Sequence, residues 1–333
     1  MIGAEAVLNV ESLNVSVGLT TIVRDLSFTV KPGKILALVG ESGCGKSMTA
    51  SALMGLLPGG VSMEAQRLSV GSQSLIGLDS NAMRRIRGDR MAMIFQDPMS
   101  SLNPVLTIGE QICESILAHS SMSRAEARNE TIRLLSSVHI PRAAERFSEY
   151  PHRLSGGMRQ RVMIAIALAN SPKVLIADEP TTALDVSVQS EILGLIDELR
   201  REKGMAVVLI SHDLGVVSQY ADDILVMYAG RGIEYGRSSD VLNRPRHPYT
   251  RALIDARPKL GSLARGKRQP LKVIAGVVPA PHAMPRGCPF APRCAKAQQD
   301  CLADVPLLHA VDGQKYACFH PEPDPYANLH VAL

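Results

Sequence analysis

The sequence predicts an α/β chain built on a mostly parallel sheet, with a helical insertion and a small cysteine-rich C-terminal extension. Three observations carry that prediction. Short β-rich runs alternate with amphipathic helical patterns from the start of the chain to about Leu242, as expected for a parallel sheet crossed by helices. Strand signals thin out between Gly60 and Leu154, where helical periodicity dominates around Ile112 to Leu117 and Ala125 to Val138. Four of the six cysteines crowd into the stretch from Cys288 to Cys318. The expected division is a core over residues 1–242, with the helical insertion at about 97–170, and an extension over 243–333.

Bulk properties set bounds. With 333 residues, 46% apolar and 20% charged, the composition is ordinary for a globular protein, and the chain can bury at least one substantial core. No apolar run approaches the ~18 residues needed to cross a bilayer, and the start MIGAEAVLNVES lacks the charged-then-apolar pattern of a signal peptide. A cytosolic chain is expected, serving any membrane process by docking on subunits that supply the spans. A net charge of +4 does not point to nucleic acid.

Along the chain, ILALVG at Ile35, MAMIF at Met91, VLIAD at Val174, AVVLIS at Ala206 and DILVMY at Asp223 read as buried strands. Such a sheet places its ligand at the carboxyl ends of its strands. Directly after the first of these runs comes GESGCGKS, Gly40 to Ser47, which matches the phosphate-binding loop G-x-x-x-x-G-K-[ST] between a predicted strand and a predicted helix. Gly40, Gly43 and Gly45 let backbone N–H groups curl around phosphate oxygens, and the helix N-terminus adds favourable partial charge. Glu41, Ser42 and Cys44 fill the variable positions of the loop. Lys46 is expected to neutralise the β and γ phosphates, and the Ser47 hydroxyl to ligate Mg²⁺. Cys44 reads as a small filler, although oxidation there would obstruct the phosphates.

The strand from Val174 ends on two adjacent carboxylates, Asp178 and Glu179. Successive strand residues point in opposite directions, and the turn at Pro180 can redirect the second. Asp178 is expected in the Mg²⁺ shell, and Glu179 as acceptor of a proton from the attacking water, a role worth ~10²–10⁴-fold in rate. In LSGGMRQR, Leu154 to Arg161, Ser155 reads as an N-cap, and Gly156 and Gly157 leave the helix start free of side-chain bulk, an anion-binding surface. A further helix follows Asp185, with Val188, Ile192, Leu195, Ile196 and Leu199 on one face and Gly204 as its stop. From Arg244 to Lys272 there are nine Lys or Arg against the single acid Asp255; this reads as a solvated connector, or as a segment drawn to anionic headgroups or an acidic partner.

The order of these motifs closely resembles the nucleotide-binding subunits of ABC transporters over roughly Leu8 to Gly236. The resemblance implies a P-loop ABC ATPase core that uses ATP and Mg²⁺. In that family the LSGGQ-type segment, here LSGGM with Ser155, Gly156 and Gly157, caps ATP on the phosphate loop of a second, head-to-tail subunit. Gln96 in IFQDP matches the glutamine that touches Mg²⁺ and the attacking water. Ala183-Leu184-Asp185 matches the loop that crosses the dimer interface, and His212 in ISHD matches the histidine at the γ-phosphate. One departure stands out: Val17 falls where the family often stacks adenine on an aromatic ring, so ATP is implied by the family and not by base readout. Soluble ABC ATPases of DNA repair usually carry a long coiled-coil insertion and those of translation two cassettes in one chain, and neither is present.

HPYTRAL, from His247 to Leu253, and GCPFAPRC, from Gly287 to Cys294, resemble the C-terminal extension on ATPase subunits of dipeptide and oligopeptide importers; nickel and metallophore importers are related. The resemblance implies a peripheral subunit on the cytoplasmic side of the inner membrane. Its partners would be a second, paralogous ATPase subunit, two permease subunits and an extracytoplasmic solute-binding protein. The cysteines run C-x₅-C-x₆-C-x₁₆-C through Cys288, Cys294, Cys301 and Cys318. In a reducing compartment this suits a Cys₄ metal site. A 4Fe-4S cluster is expected, as some members of the importer group carry one, with zinc as the alternative although no tight C-x₂-C knuckle is present. His309 and His320 are secondary candidates as ligands.

Overall fold

The computed structural model describes residues 5–97, 101–182, 184–257, 273–311 and 313–324. The N-terminal part folds into an antiparallel sheet of β1 (Leu8–Val17), β2 (Thr20–Val30), β4 (Val61–Glu64), β5 (Arg67–Val70) and β6 (Gln73–Ser74). Its order is β2-β1-β5-β6, with β4 also on β1. Alternation drives it: Leu26, Phe28 and Val30 of β2 are buried while Asp25, Ser27 and Thr29 between them face outward.

The second sheet holds β3 (Ile35–Val39), β7 (Met91–Ile94), β8 (Val174–Asp178), β9 (Ala206–Ile210), β10 (Asp223–Tyr228), β11 (Arg231–Arg237), β12 (His309–Val311) and β13 (Gln314–Tyr316). Its order is β12-β13-β11-β10-β3-β9-β8-β7. The pairs β10–β3, β3–β9, β9–β8 and β8–β7 are parallel. These are the five runs that read as buried strands in the sequence, and both faces of the sheet are covered, as unbroken apolar strands require. Alternate residues serve opposite layers: Leu175 and Ala177 of β8 pack towards the helices, and Val174 and Ile176 towards the antiparallel sheet.

Between β7 and β8 lie the helices Ile108–Leu117, Arg124–Ser137, Ala143–Arg146 and Gly156–Leu168. Two of them start on reciprocal capping boxes, Thr107 with Glu110 and Ser123 with Glu126. The stretch after Gly60, where strand signals thin out in the sequence, begins with the strands β4 to β6. These strands are two to four residues long and mostly half-buried or exposed, too short for a period-2 pattern to emerge.

The extension is built into the second sheet and does not stand apart from it. β13 pairs antiparallel with β11, and β12 with β13. Behind them Tyr228, Tyr249 and Phe290 form an aromatic cluster with ring centroids 4.7 to 5.4 Å apart, in the tilted and edge-on arrangements aromatic rings favour. The part of the basic stretch beyond Arg257 lies outside the described residues.

Candidate nucleotide site and thiol cluster

The phosphate loop leaves the end of β3 and curls back on itself. An added Cβ at Gly40 would sit 2.2 Å from the Met227 carbonyl oxygen, so only glycine fits there. Gly45, at φ +103°, turns the chain into the helix Lys46–Leu53, whose start carries no side-chain cap. Its first N–H groups are thus left for an anion. The Lys46 ammonium is buried and donates to the carbonyls of Gly40 at 2.8 Å and Glu41 at 3.1 Å, spanning the loop. Cys44 is fully buried within it, and burial raises its thiol pKa against the pull of Lys46.

Two carboxylates meet this loop from β8. Asp178, the last residue of the strand, is buried and accepts from the Ser47 hydroxyl at 3.1 Å. Burial pushes its carboxyl above the usual range; the Ser47 bond opposes the shift and the Glu179 charge adds to it. Glu179 stands at φ +45° with its N–H on the Ile210 carbonyl. That left-handed turn lets a second consecutive carboxylate face the site. Three side chains converge on Glu179 Oε2: Gln96 Nε2 at 3.1 Å, the Thr182 hydroxyl at 3.0 Å and His212 Nδ1 at 3.4 Å. Thr182 was not among the residues singled out in the sequence; its position three residues past Glu179 in the turn after Pro180 was the only signal.

The LSGGM segment lies elsewhere. Ser155 caps the helix Gly156–Leu168 by accepting from the Met158 N–H at 3.3 Å. A Cβ on Gly157 would meet Val188 Cγ1 at 2.8 Å, and one on Gly156 would meet Leu184 Cδ2 at 3.3 Å. The two glycines therefore let the helix Val186–Lys203 pack close. Ser155, Gly156, Gly157, Leu184 and Asp185 line one open cleft of about 460 Å³, to which residues 40–47 contribute nothing. Asp185 starts the helix Val186–Lys203 without a side-chain cap bond, so its carboxylate is not consumed locally. Ala183 lies outside the described residues. Val17, the last residue of β1, is 45% exposed beside Thr20 and Val61.

In the extension, Cys288, Cys294, Cys301 and Cys318 all line one small cavity with His247 and Phe290. Gly287 allows this closure: a Cβ there would sit 2.3 Å from the Cys301 carbonyl oxygen, while the Cys288 N–H donates to that oxygen. Burial raises the thiols of Cys288 and Cys294 and pushes Cys318 up to about 12. His320 pairs with Asp300 at 2.9 Å, and these two with Cys301 bring ligand atoms within 4.8 Å of one another. His309 instead stacks edge-on against Tyr316 at 4.5 Å.

Comparison with known proteins matches this layout. Residues 23–182 fit the ABC transporter family, and residues 233–301 fit the oligopeptide/dipeptide transporter C-terminal region. The chain is 46% identical over 322 residues to the oligopeptide transport ATP-binding protein OppD of Escherichia coli, covering 96% of this chain and 94% of that protein. The chain belongs to the ATP-hydrolysing subunits of ABC transporters. The OppD protein of Haemophilus influenzae is likewise 46% identical over 302 residues, 91% of this chain and 92% of its own. Among solved structures, the dimeric post-hydrolysis state of the ATP-binding cassette MJ0796 with ADP and Pi superposes with a TM-score of 0.60 at 26% identity, covering 69% of this chain and 98% of that one. The cbiO1 protein of Clostridium perfringens, part of the ABC transporter complex cbiONQ, gives 0.63 at 27%, covering 72% and 92%.

As an ABC ATPase the chain works on ATP with Mg²⁺ and alongside permease subunits. No helix among its described residues is long and apolar enough to cross a membrane.

Proposed function

We propose that this ABC ATPase powers the import of di- and oligopeptides. The observation that carries the reading is the match of residues 233–301 to the oligopeptide/dipeptide transporter C-terminal region, within near full-length similarity to oligopeptide transport ATP-binding proteins. On this reading it sits at the cytoplasmic face of the inner membrane with two permeases, a paralogous second ATPase and an extracytoplasmic solute-binding protein.

The chemistry follows from the site. The loop Gly40 to Ser47 cradles the phosphates, with Lys46 exchanging its loop carbonyls for phosphate oxygens. Ser47 and Asp178, with Gln96 on the neighbouring Glu179, fit Mg²⁺: a hydroxyl and a buried carboxylate in contact are hard oxygen donors of the kind the ion takes. The ion supplies neutralisation of phosphate charge when bound. Glu179 takes the proton of the attacking water, and Gln96, Thr182 and His212 hold its carboxylate in place. Val17 covers the base by apolar packing alone. The cleft of Ser155, Gly156, Gly157 and Asp185 has no phosphate loop of its own chain within it, which supports closure on ATP held by the second subunit. Loss of the γ-phosphate then removes the group both subunits share, and the interface loosens.

Four cysteines around one small cavity support a 4Fe-4S cluster held by Cys288, Cys294, Cys301 and Cys318, with zinc as the alternative.

The test is reconstitution in vesicles with its permease subunits, second ATPase and a solute-binding protein, offering labelled tri- and pentapeptides or a nickel chelate. ATP-dependent peptide uptake is the expected result. Uptake of the nickel chelate alone would overturn the peptide assignment.

A further inference from the structure

The extension reaches the phosphate loop through the side chains of Arg293 and Tyr249. Arg293, the residue before Cys294, forms a two-pronged ion pair with Glu41: Nη1 to Oε2 at 2.6 Å and Nη2 to Oε1 at 3.0 Å. The guanidinium is only 4% exposed. Its remaining N–H groups donate to the carbonyls of Ala275 and Ile274 at 2.9 and 3.1 Å and to the Tyr228 hydroxyl at 3.3 Å. Every direction of its fork is therefore fixed by the extension or by the end of β10. From the other side, the Glu41 backbone N–H donates to the Tyr249 hydroxyl at 2.9 Å. Glu41 is thus held by groups outside the loop through both its side chain and its amide.

We propose that Arg293 is a positioning residue for ATP binding: by gripping Glu41 it holds the phosphate loop curled for the nucleotide. A bidentate guanidinium–carboxylate pair fixes orientation as well as distance, which a lysine at the same place would not. Removing the carboxylate of Glu41, whose side chain is 27% exposed, leaves the 4% exposed Arg293 side chain without its counter-charge, so the loop end would shift. Phosphate-loop contacts act on bound ATP and on its transition state alike. Their loss therefore raises KM with little change in kcat.

The inference rests on the assignment of residues 40–47 as the phosphate loop. The experiment uses the full chain with its partner subunits and measures affinity for a fluorescent ATP analogue with Mg²⁺, together with KM and kcat. Arg293→Ala and Glu41→Gln are each expected to weaken analogue binding roughly tenfold, with kcat changed less than about twofold. The double variant is expected to be no worse than either single one, the signature of a single shared interaction. Arg293→Lys is expected to recover only part of the loss. Glu41→Gln changes no residue of the extension and keeps the side-chain size, so a folding defect in Arg293→Ala does not obscure the result. Affinities within twofold of the parent in Glu41→Gln, or additive losses in the double variant, would overturn the proposal. A parent chain that binds no analogue at all would remove the phosphate-loop assignment along with it.

Discussion

The Gln96 side-chain amide donates to Glu179 Oε2 across 3.1 Å, so the segment that opens the helical insertion touches the carboxylate at the end of β8. A movement of the insertion is thereby a movement at the carboxylate proposed as the general base. The same oxygen is held by Thr182 and His212, which makes Glu179 the point where several elements report.

Glu179→Gln keeps the size and most of the contacts of that side chain but cannot accept a proton. ATP binding is expected to persist while steady-state hydrolysis falls by ~10²–10⁴-fold. A variant retaining at least half of normal turnover would remove the general-base role.

Thr182→Val deletes one donor to the carboxylate without changing side-chain shape. A hydrogen bond to a charged group contributes ~1.5–3 kcal/mol, so turnover is expected to drop roughly tenfold with ATP affinity intact. Stopped-flow nucleotide binding beside steady-state hydrolysis separates the two; a change in affinity alone would mean that Thr182 serves the loop and not Glu179.

Cys294→Ser addresses the thiol cavity. Anaerobically purified parent protein is expected to be brown, with ~4 iron and ~4 sulfide per chain, and the variant colourless. Parent protein holding one zinc and no iron would rule out the cluster.

Glu234 gives the chain a pH-dependent stability. Burial pushes its carboxyl up to about 7 from 4.5, while the backbone N–H groups of Arg246 and His247 pull the other way. The fold then binds a proton that the unfolded chain releases at lower pH. The stabilisation is full below about 4.5 and is lost as pH rises through 7. Between pH 6 and pH 8 the parent is expected to lose ~1 kcal/mol through this group, and Glu234→Gln to lack that component. Urea unfolding at the two pH values checks it, and equal pH slopes for parent and variant would refute the assignment.

The parallel strands were legible because residues such as Ile35 to Val39 and Val174 to Ala177 are buried on both faces and leave unbroken apolar runs. Strands β4 to β6 were not, since Val61 and Met63 alternate over too few positions to stand out. The loop Gly40–Ser47 could be read from local spacing alone. The gathering of Gln96 and His212 on Glu179 was foreshadowed only by the order of motifs, because no local pattern links residues 83 positions apart. The pairing of Arg293 with Glu41 joins positions 252 apart and left no trace in composition or periodicity.

The pairing of β13 with β11 also has a consequence for solubility. A chain cut after Leu242 would leave Glu234 and Tyr235 of β11 as a bare strand edge, open to addition by a neighbouring chain. The same cut would remove the Arg246, His247 and Gln314 donors from the Glu234 carboxylate, stranding a polar group that was satisfied only by the missing piece. The extension thus covers an edge of the ATPase sheet, and a shortened form is expected to aggregate before it can be assayed.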